Sequence, residues 1–218
     1  MVLAIVWPLV SDWLVEALGV RALATALLLV SAGSLTAARS AVPSDLAPDR
    51  VDSAALLGLV GAAALSGERL FLLLVPAWVQ VALFRVFRRS ASNGGSVFER
   101  VAFAIQPYAP EFIRPYCRKS TALWSWLFLA NALAIAALAL FAPIQLWRAF
   151  SSWIVWAVML ALGAIDFVAR KLYFRIYRDG PLDRVLARWF PAANTAMGRR
   201  CNEYVRAKRL ALGRPPWR

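Results

Sequence analysis

The pattern of apolar and polar residues divides this chain into long apolar runs and short basic segments. Two runs, Thr121 to Phe141 and Ser151 to Ala169, are nearly unbroken, and Arg or Lys residues lie close to them. At a rise of about 1.5 Å per residue, about 20 apolar residues cross the hydrocarbon core of a bilayer. These two runs therefore predict membrane-spanning helices in an integral membrane protein.

The other apolar runs predict further spans and set the fold class. Gly19 separates a first pair of runs, and the link from Gly67 to Arg69 separates a second pair. We expect an all-α polytopic membrane helix bundle of about six spans. The alternative is four spans with re-entrant pieces, because the third run has only about 14 residues. The predicted spans are Val2–Leu18, Val20–Ala38, Ser53–Ser66, Leu70–Phe84, Thr121–Phe141 and Ser151–Ala169.

Three connections between the predicted spans contain polar residues or prolines. Arg39–Asp52 is predicted to be an inside loop, and Ala142–Phe150 is predicted to be a short outside loop. The prolines between residues 107 and 115 predict that no long regular helix precedes Tyr116.

The composition agrees with a membrane protein. Hydrophobic residues make up 61% of the chain, whereas a soluble domain has about 45 to 50%. Ten Trp residues suit the membrane interface, where the indole ring meets lipid and its N–H meets water. Met1–Val10 has no basic residue before its apolar stretch and no clear cleavage pattern, which predicts a retained helix.

The net charge of +13 is concentrated in two segments, and this sets the predicted orientation. Arg85–Lys119 and Arg170–Arg218 hold 20 of the 25 Lys and Arg residues. Short segments rich in Lys and Arg stay in the cytoplasm, so we expect both segments and both termini inside. The predicted domains are a transmembrane domain, 1–170, with an inside loop, 85–119, and a basic cytoplasmic tail, 171–218. Cys117 and Cys201 lie in these segments and are expected to stay reduced.

The tail contains a predicted amphipathic helix that opens at Pro181. Apolar residues recur at helical spacing after it, while Arg184 and Arg188 take another face. This pattern favours a helix on the inner leaflet, and a solvated tail is the alternative. The apolar residues are Leu182, Val185, Leu186, Trp189 and Phe190.

The residue types present argue against common catalytic and metal chemistry. The chain has no His, which is the commonest general base and a common metal ligand. Cys pairs at metal spacing, phosphate-binding Gly loops and nucleophilic Ser elbows are also missing from the sequence. We therefore expect no cofactor and do not expect a zinc or haem enzyme; any catalysis must use other groups.

A few ionisable residues near the first two spans are candidate functional groups, since charge at membrane depth is energetically unfavourable. Asp12 and Glu16 are four residues apart and share a helix face, which suits cation binding or proton transfer. We favour the alternative that both lie at the outer interface, where Arg21 neutralises them.

Two further polar candidates lie in the last two spans. Asp166 and Arg170 are four residues apart, a spacing that places opposite charges on one helix face and predicts a structural ion pair. Asn131 lies in the middle of the fifth span, where a hydrogen bond to another helix is the expected role.

The predicted basic inner face has two explanations. Anionic lipid attracts each juxtamembrane Lys or Arg by about 1 kcal/mol, which accounts for the charge without a protein partner. The second explanation is a docking site for an acidic soluble protein. We do not expect nucleic acid, because the segments contain no recognised binding motif.

The stretch from Glu99 to Arg175 carries a set of motifs in a fixed order. They are Glu99-Arg100, a proline-containing linker, Tyr116, Arg118, Thr121, Trp124, Phe128, Leu140-Phe141-Ala142, Trp147, and Asp166 four residues before Arg170. In this pattern the chain resembles a family of uncharacterised bacterial inner-membrane proteins. Members are encoded among acyl carrier proteins, ketosynthases and acyltransferases in aryl polyene (xanthomonadin-like) pigment clusters. The family more often has Glu at the position of Asp166, and a Pro-Leu-Ile type sequence where this chain has Ser96-Val97-Phe98.

The resemblance implies a role in assembling a polyene or fatty-acid-like chain at the cytoplasmic membrane. We expect an accessory or scaffold protein that recruits an acidic acyl carrier protein or ketosynthase. A transporter or flippase of the polyene lipid and an integral membrane enzyme of lipid modification are the alternatives. The candidate partner-binding residues are Arg114, Arg118, Lys119, Arg170, Lys171 and Arg175.

Overall fold

A computed structural model describes residues 14–41, 50–92, 95–105, 109–177 and 180–213. Every regular element in these ranges is helical, so the all-α prediction is confirmed for them. Residues 14–18 are helical, and the α-helices after them are α1 (Val20–Ala41), α2 (Arg50–Ser66), α3 (Arg69–Leu73), α4 (Val75–Ser92), α5 (Val97–Ile105), α6 (Arg114–Phe141), α7 (Ile144–Ala149), α8 (Val155–Phe174), α9 (Pro181–Trp189) and α10 (Ala196–Ala211).

Three helical stretches are long and apolar enough to cross a membrane. They are Arg69–Ser92, Glu111–Phe141 and Ile144–Phe174, and they contain the last three predicted spans. Val20–Gly33 is a shorter apolar stretch within α1. The structure describes the first predicted span only from residue 14 onward. The count of six spans stays a prediction.

Two predicted loops are shorter than the sequence indicates. Helix α1 continues to Ala41 and α2 begins at Arg50, so helix enters both ends of the predicted loop Arg39–Asp52. The predicted outside loop Ala142–Phe150 is wrong, because α7 begins directly after Pro143. Trp147 of α7 is buried. Removing this large apolar side chain from water stabilises the helical conformation of a segment that was predicted to be a loop.

Prolines lie in the first turns of α6 and α4. Pro115 lies in the first turn of α6, where a backbone N–H would have no partner within the helix, so α6 begins two residues before Tyr116. Pro76 has no N–H to donate to the carbonyl of Leu72, and the helical stretch is interrupted at Leu74, between α3 and α4.

A π-helix, Phe150–Ile154, joins α7 to α8. Its residues Ser151 and Ser152 are buried, and the Ser152 hydroxyl donates a hydrogen bond of 2.6 Å to the carbonyl of Arg148. A serine that bonds back to the preceding turn competes with the regular helical hydrogen bond and favours such a local irregularity.

The chain forms two compact units, which are described separately. The first unit comprises Met1–Ser96 and Thr121–Val158, and the second comprises Val97–Ser120 and Met159–Arg218. In the first unit α1 packs along α2. Small side chains at Ala24 and Ala63 are fully buried there, which lets the two helices approach closely.

A buried carboxylate ties α2 to α4 in the first unit. Asp52 lies in the first turn of α2, where negative charge suits the helix dipole. Its Oδ1 is 2.7 Å from Arg85 Nη1, its Oδ2 is 3.8 Å from Arg89 Nη2, and its carbonyl accepts a 3.1 Å hydrogen bond from Trp78 Nε1. The basic end of α4 is therefore held by an acidic residue that the sequence alone did not single out.

The second unit has its own apolar core. Its last helix, α10, begins with a capping threonine and a glycine that has no room for a side chain. Thr195 caps this helix, since its hydroxyl accepts a 3.1 Å hydrogen bond from the Gly198 N–H. A Cβ at Gly198 would lie 2.5 Å from the carbonyl oxygen of Ala192, so only glycine fits. The core residues are Ala109, Ile113, Cys117, Phe174, Ile176, Cys201 and Val205.

Candidate functional site in the basic unit

The second unit carries most of the charge of the chain. It holds 17 of the 25 Lys and Arg residues and 6 of the 12 Asp and Glu residues, a net charge of +11 out of +13. A charge of this sign and density attracts anionic lipids and acidic proteins. The candidate site therefore lies in this unit.

A buried carboxylate, that of Glu99 in α5, lies beside two arginines of α6. Its Oε1 is 3.4 Å from Arg114 Nε, and its Oε2 is 4.0 Å from Arg118 Nε. The Glu99 side chain is 7% exposed, whereas those of Arg114 and Arg118 are 47% and 51% exposed. The carboxylate thus contacts the inner side of two guanidinium groups that also remain open to solvent. Lys119, the next residue, is exposed as well.

A second carboxylate joins the beginning of α6 to α8. The Tyr116 and Ser120 hydroxyls donate hydrogen bonds of 3.0 and 3.1 Å to Asp166 Oδ1. Arg170 Nη2 lies 3.5 Å from Asp166 Oδ2, so the structure forms the ion pair predicted from the four-residue spacing. The two hydroxyl donors were not predicted, because their separation from Asp166 in sequence gives no local signal.

The ammonium group of Lys171 forms the third charged contact. Lys171 Nζ lies 2.8 Å from Asp183 Oδ1 and donates a 3.3 Å hydrogen bond to the carbonyl of Ile176. The side chains of Lys171 and Asp183 are only 17% and 10% exposed. This pair joins the last turn of α8 to the first turn of α9.

Arg175 ends α8 in a left-handed conformation, with φ of 51°. Glycine usually occupies this position after a helix. The Arg175 side chain donates hydrogen bonds of 2.7 Å to the carbonyl of Pro191 and 3.2 Å to that of Leu172. Its guanidinium therefore holds the chain after α9 against the end of α8.

The unit contains an apolar cavity of about 440 Å³. Helix α5 contributes Phe98, Val101 and Ile105 to its wall, and α8 contributes Phe167 and Phe174. Arg170, Lys171 and Asp183 also line it, beside Gly180, Pro181 and Leu182 at the start of α9. The cavity is within the size range of small-molecule sites, which is about 300 to 1,000 Å³.

The six predicted partner-binding residues all lie in this unit, but they fall into two classes. Arg114, Arg118 and Lys119 expose much of their side chains. Arg170, Lys171 and Arg175 contact acceptors within the unit. The first class is consequently better suited to contact a partner.

The predicted intramembrane polar residues belong to the first unit, apart from Asp166. Asp12 lies outside the described residues, and Glu16 and Arg21 are exposed. The Arg21 side chain lies against Gly67, where an added Cβ would come within 3.2 Å of its Nε. Asn131 is buried, and its Nδ2 has no hydrogen-bond partner among the described residues. A hydrogen bond from this side chain to another helix stays a prediction.

Burial also affects ionisable groups in the part of the second unit that follows α8. It raises the pKa of the Cys201 thiol to about 11 and raises the pKa of Tyr177, whose hydroxyl donates a 2.8 Å hydrogen bond to the carbonyl of Phe190. Cys117 and Cys201 are buried thiols. In the described residues, no group of three or more Cys, Asp or Glu is placed to hold a metal ion.

Comparisons with known protein families, curated proteins and solved structures found no match.

Proposed function

We propose that this chain is a multi-pass protein of the bacterial inner membrane whose basic unit faces the cytoplasm and recruits an acidic protein. In this proposal it is a noncatalytic accessory of fatty-acid-like or aryl polyene chain assembly, and the partner is of the acyl carrier type. The three long apolar helical stretches support the membrane location. The concentration of +11 in the second unit supports the choice of an acidic partner.

The half-exposed pair of Arg114 and Arg118 beside the buried Glu99 is the observation that carries the proposal. Guanidinium groups that are already oriented lose less side-chain entropy when they bind a carboxylate or phosphate. Complementary charge also accelerates encounter and fixes orientation more than it adds affinity. An acidic carrier protein fits such a surface better than a neutral one.

Capture of a purified acyl carrier protein by the full chain in nanodiscs of zwitterionic lipid tests this proposal. Zwitterionic lipid removes the competing anionic headgroups. We expect salt-sensitive capture that falls about tenfold in the Arg118→Glu/Lys119→Glu variant, a loss of about 1.4 kcal/mol. The control is Arg50→Glu, which reverses an exposed charge in the first unit. Equal capture by all three proteins would overturn the proposal.

A further inference from the structure

The apolar cavity of the second unit has the features of a binding site for one amphiphilic molecule. Phe98, Val101 and Ile105 line it from α5, and Phe167 and Phe174 line it from α8. Apolar walls of this kind favour burial of an aliphatic chain, because burial removes its CH2 groups from water.

The charged groups at the cavity favour an anionic head. Two cations, Arg170 and Lys171, line the cavity with one carboxylate, that of Asp183. Lys171 is engaged by Asp183, whereas Arg170 is 28% exposed and its ion pair with Asp166 is long, at 3.5 Å. A guanidinium has five N–H donors, so its contact with Asp166 leaves donors able to bind a carboxylate as well.

The start of α9 also favours an anionic head group. Gly180 and Pro181 line the cavity, and Pro181 opens α9. The first turn of a helix presents N–H groups without partners within the helix and the positive end of its dipole. Asp183 of this turn is paired with Lys171, and the start of α9 and Arg170 together favour negative charge on that side of the cavity.

We propose that this cavity binds a single fatty acid, with its carboxylate at Arg170 and its acyl chain between α5 and α8. This site is distinct from the surface proposed to recruit an acidic protein and does not depend on that function. The cavity size and the placement of the positive groups favour one chain with a small anionic head.

A photoreactive palmitate with a diazirine in its chain tests the site on the full chain in nanodiscs of zwitterionic lipid. We expect saturable labelling of one molecule per chain, mapped by mass spectrometry to α5, α8 or α9. Unlabelled palmitate should compete at least tenfold better than hexadecanol, which has no charge. Labelling elsewhere, or equal competition by hexadecanol, would overturn the site. Equal competition by a two-chain anionic phospholipid would overturn the assignment to a fatty acid.

Two variants narrow the cavity. Gly180 has φ of −70°, and a Cβ there would meet no atom within 4 Å, so Gly180→Phe adds a ring without backbone strain. We expect it to reduce labelling at least tenfold. Gly58→Phe is the matched control, because a Cβ at Gly58 also meets nothing within 4 Å. Ala102→Phe, in the cavity wall, provides a second filling variant if Gly180→Phe does not fold. If a variant that fills the cavity folds and is still labelled as strongly as the wild-type protein, the proposal is refuted.

A third variant tests the head group. Arg170→Gln should weaken palmitate about tenfold and leave hexadecanol unchanged, since Tyr116 and Ser120 still hold Asp166. Arg206→Gln removes an exposed charge of the same unit and should leave both probes unchanged. Unaltered palmitate binding in Arg170→Gln would show that this arginine does not hold the carboxylate and would overturn that assignment.

Discussion

Lys171 Nζ lies 2.8 Å from Asp183 Oδ1, and this mostly buried ion pair joins the end of α8 to the beginning of α9. Removing one partner of a buried pair leaves an uncompensated charge, whereas replacing both with apolar residues is often nearly neutral. The pair therefore allows a direct test of how α9 is held.

We predict that Asp183→Leu lowers the free energy of unfolding by about 3 kcal/mol, and that Lys171→Met/Asp183→Leu recovers most of that loss. Circular dichroism during thermal unfolding in detergent measures both effects. Glu203→Leu is the control, because Glu203 is an exposed acid on α10. If the single and double variants lose equal stability, the pair does not hold α9.

The hydroxyl donors of Asp166 give a second prediction. Tyr116→Phe and Ser120→Ala each remove one hydrogen bond to Oδ1, and each should lower the free energy of unfolding by about 1 to 2 kcal/mol. Because they share an acceptor, we expect the double variant to depart from additivity. Tyr173→Phe is the matched control, since Tyr173 stacks beside Tyr116 and is exposed. An equal loss in this control would show that the hydroxyl bond is not the cause.

The sequence predicts ion pairs within one helix, but it does not predict ion pairs between helices. The Asp166–Arg170 pair lies within one helix, so the four-residue spacing alone was sufficient to predict this contact. Glu99 with Arg118, and Asp183 with Lys171, join different helices. Such contacts depend on how helices pack, and their separation in sequence carries no periodic signal. The cavity was missed for the same reason, because α5, α8 and α9 all contribute to it.

Helix existence was predicted better than helix ends. Apolar runs marked the spans around Thr121–Phe141 and Ser151–Ala169, and Pro181 marked the start of α9. The segment Ala142–Phe150 was predicted to be a loop because it lies between two long apolar runs, whereas α7 forms there and Trp147 is buried. Local composition does not reveal which aromatic residues another helix will cover.

Cys201 gives a pH-dependent prediction. Burial raises its pKa to about 11, from a usual value of 9.0, so folding favours the neutral thiol. This contribution to stability is complete below about pH 9 and is lost as the pH rises through about 11. At pH 8 the shift alone makes the thiolate about 100-fold scarcer than in an ordinary cysteine.

Alkylation by iodoacetamide at pH 8, followed by peptide mass spectrometry, checks this prediction. Cys201 should react at least 100-fold more slowly in the folded protein than a cysteine introduced by Asn202→Cys, at an exposed position on the same helix. In denaturant the two rates should become similar. Comparable rates in the folded state would contradict the burial of Cys201.

Because both native thiols are buried, introduced cysteines can report which side of the membrane each part of the protein faces. Cys117 and Cys201 should give little background with a membrane-impermeant maleimide, so labelling reports on introduced cysteines. Gln145→Cys lies on α7, at the beginning of the long apolar stretch Ile144–Phe174, and Asn202→Cys lies in the basic unit; both positions are exposed. Because basic segments stay in the cytoplasm, we predict that intact cells with a permeabilised outer membrane label Gln145→Cys at least tenfold more than Asn202→Cys. Lysis of the inner membrane should equalise the two. Labelling of Asn202→Cys before lysis would place the basic unit outside the cytoplasm, where no cytosolic carrier protein reaches Arg114 or Arg118.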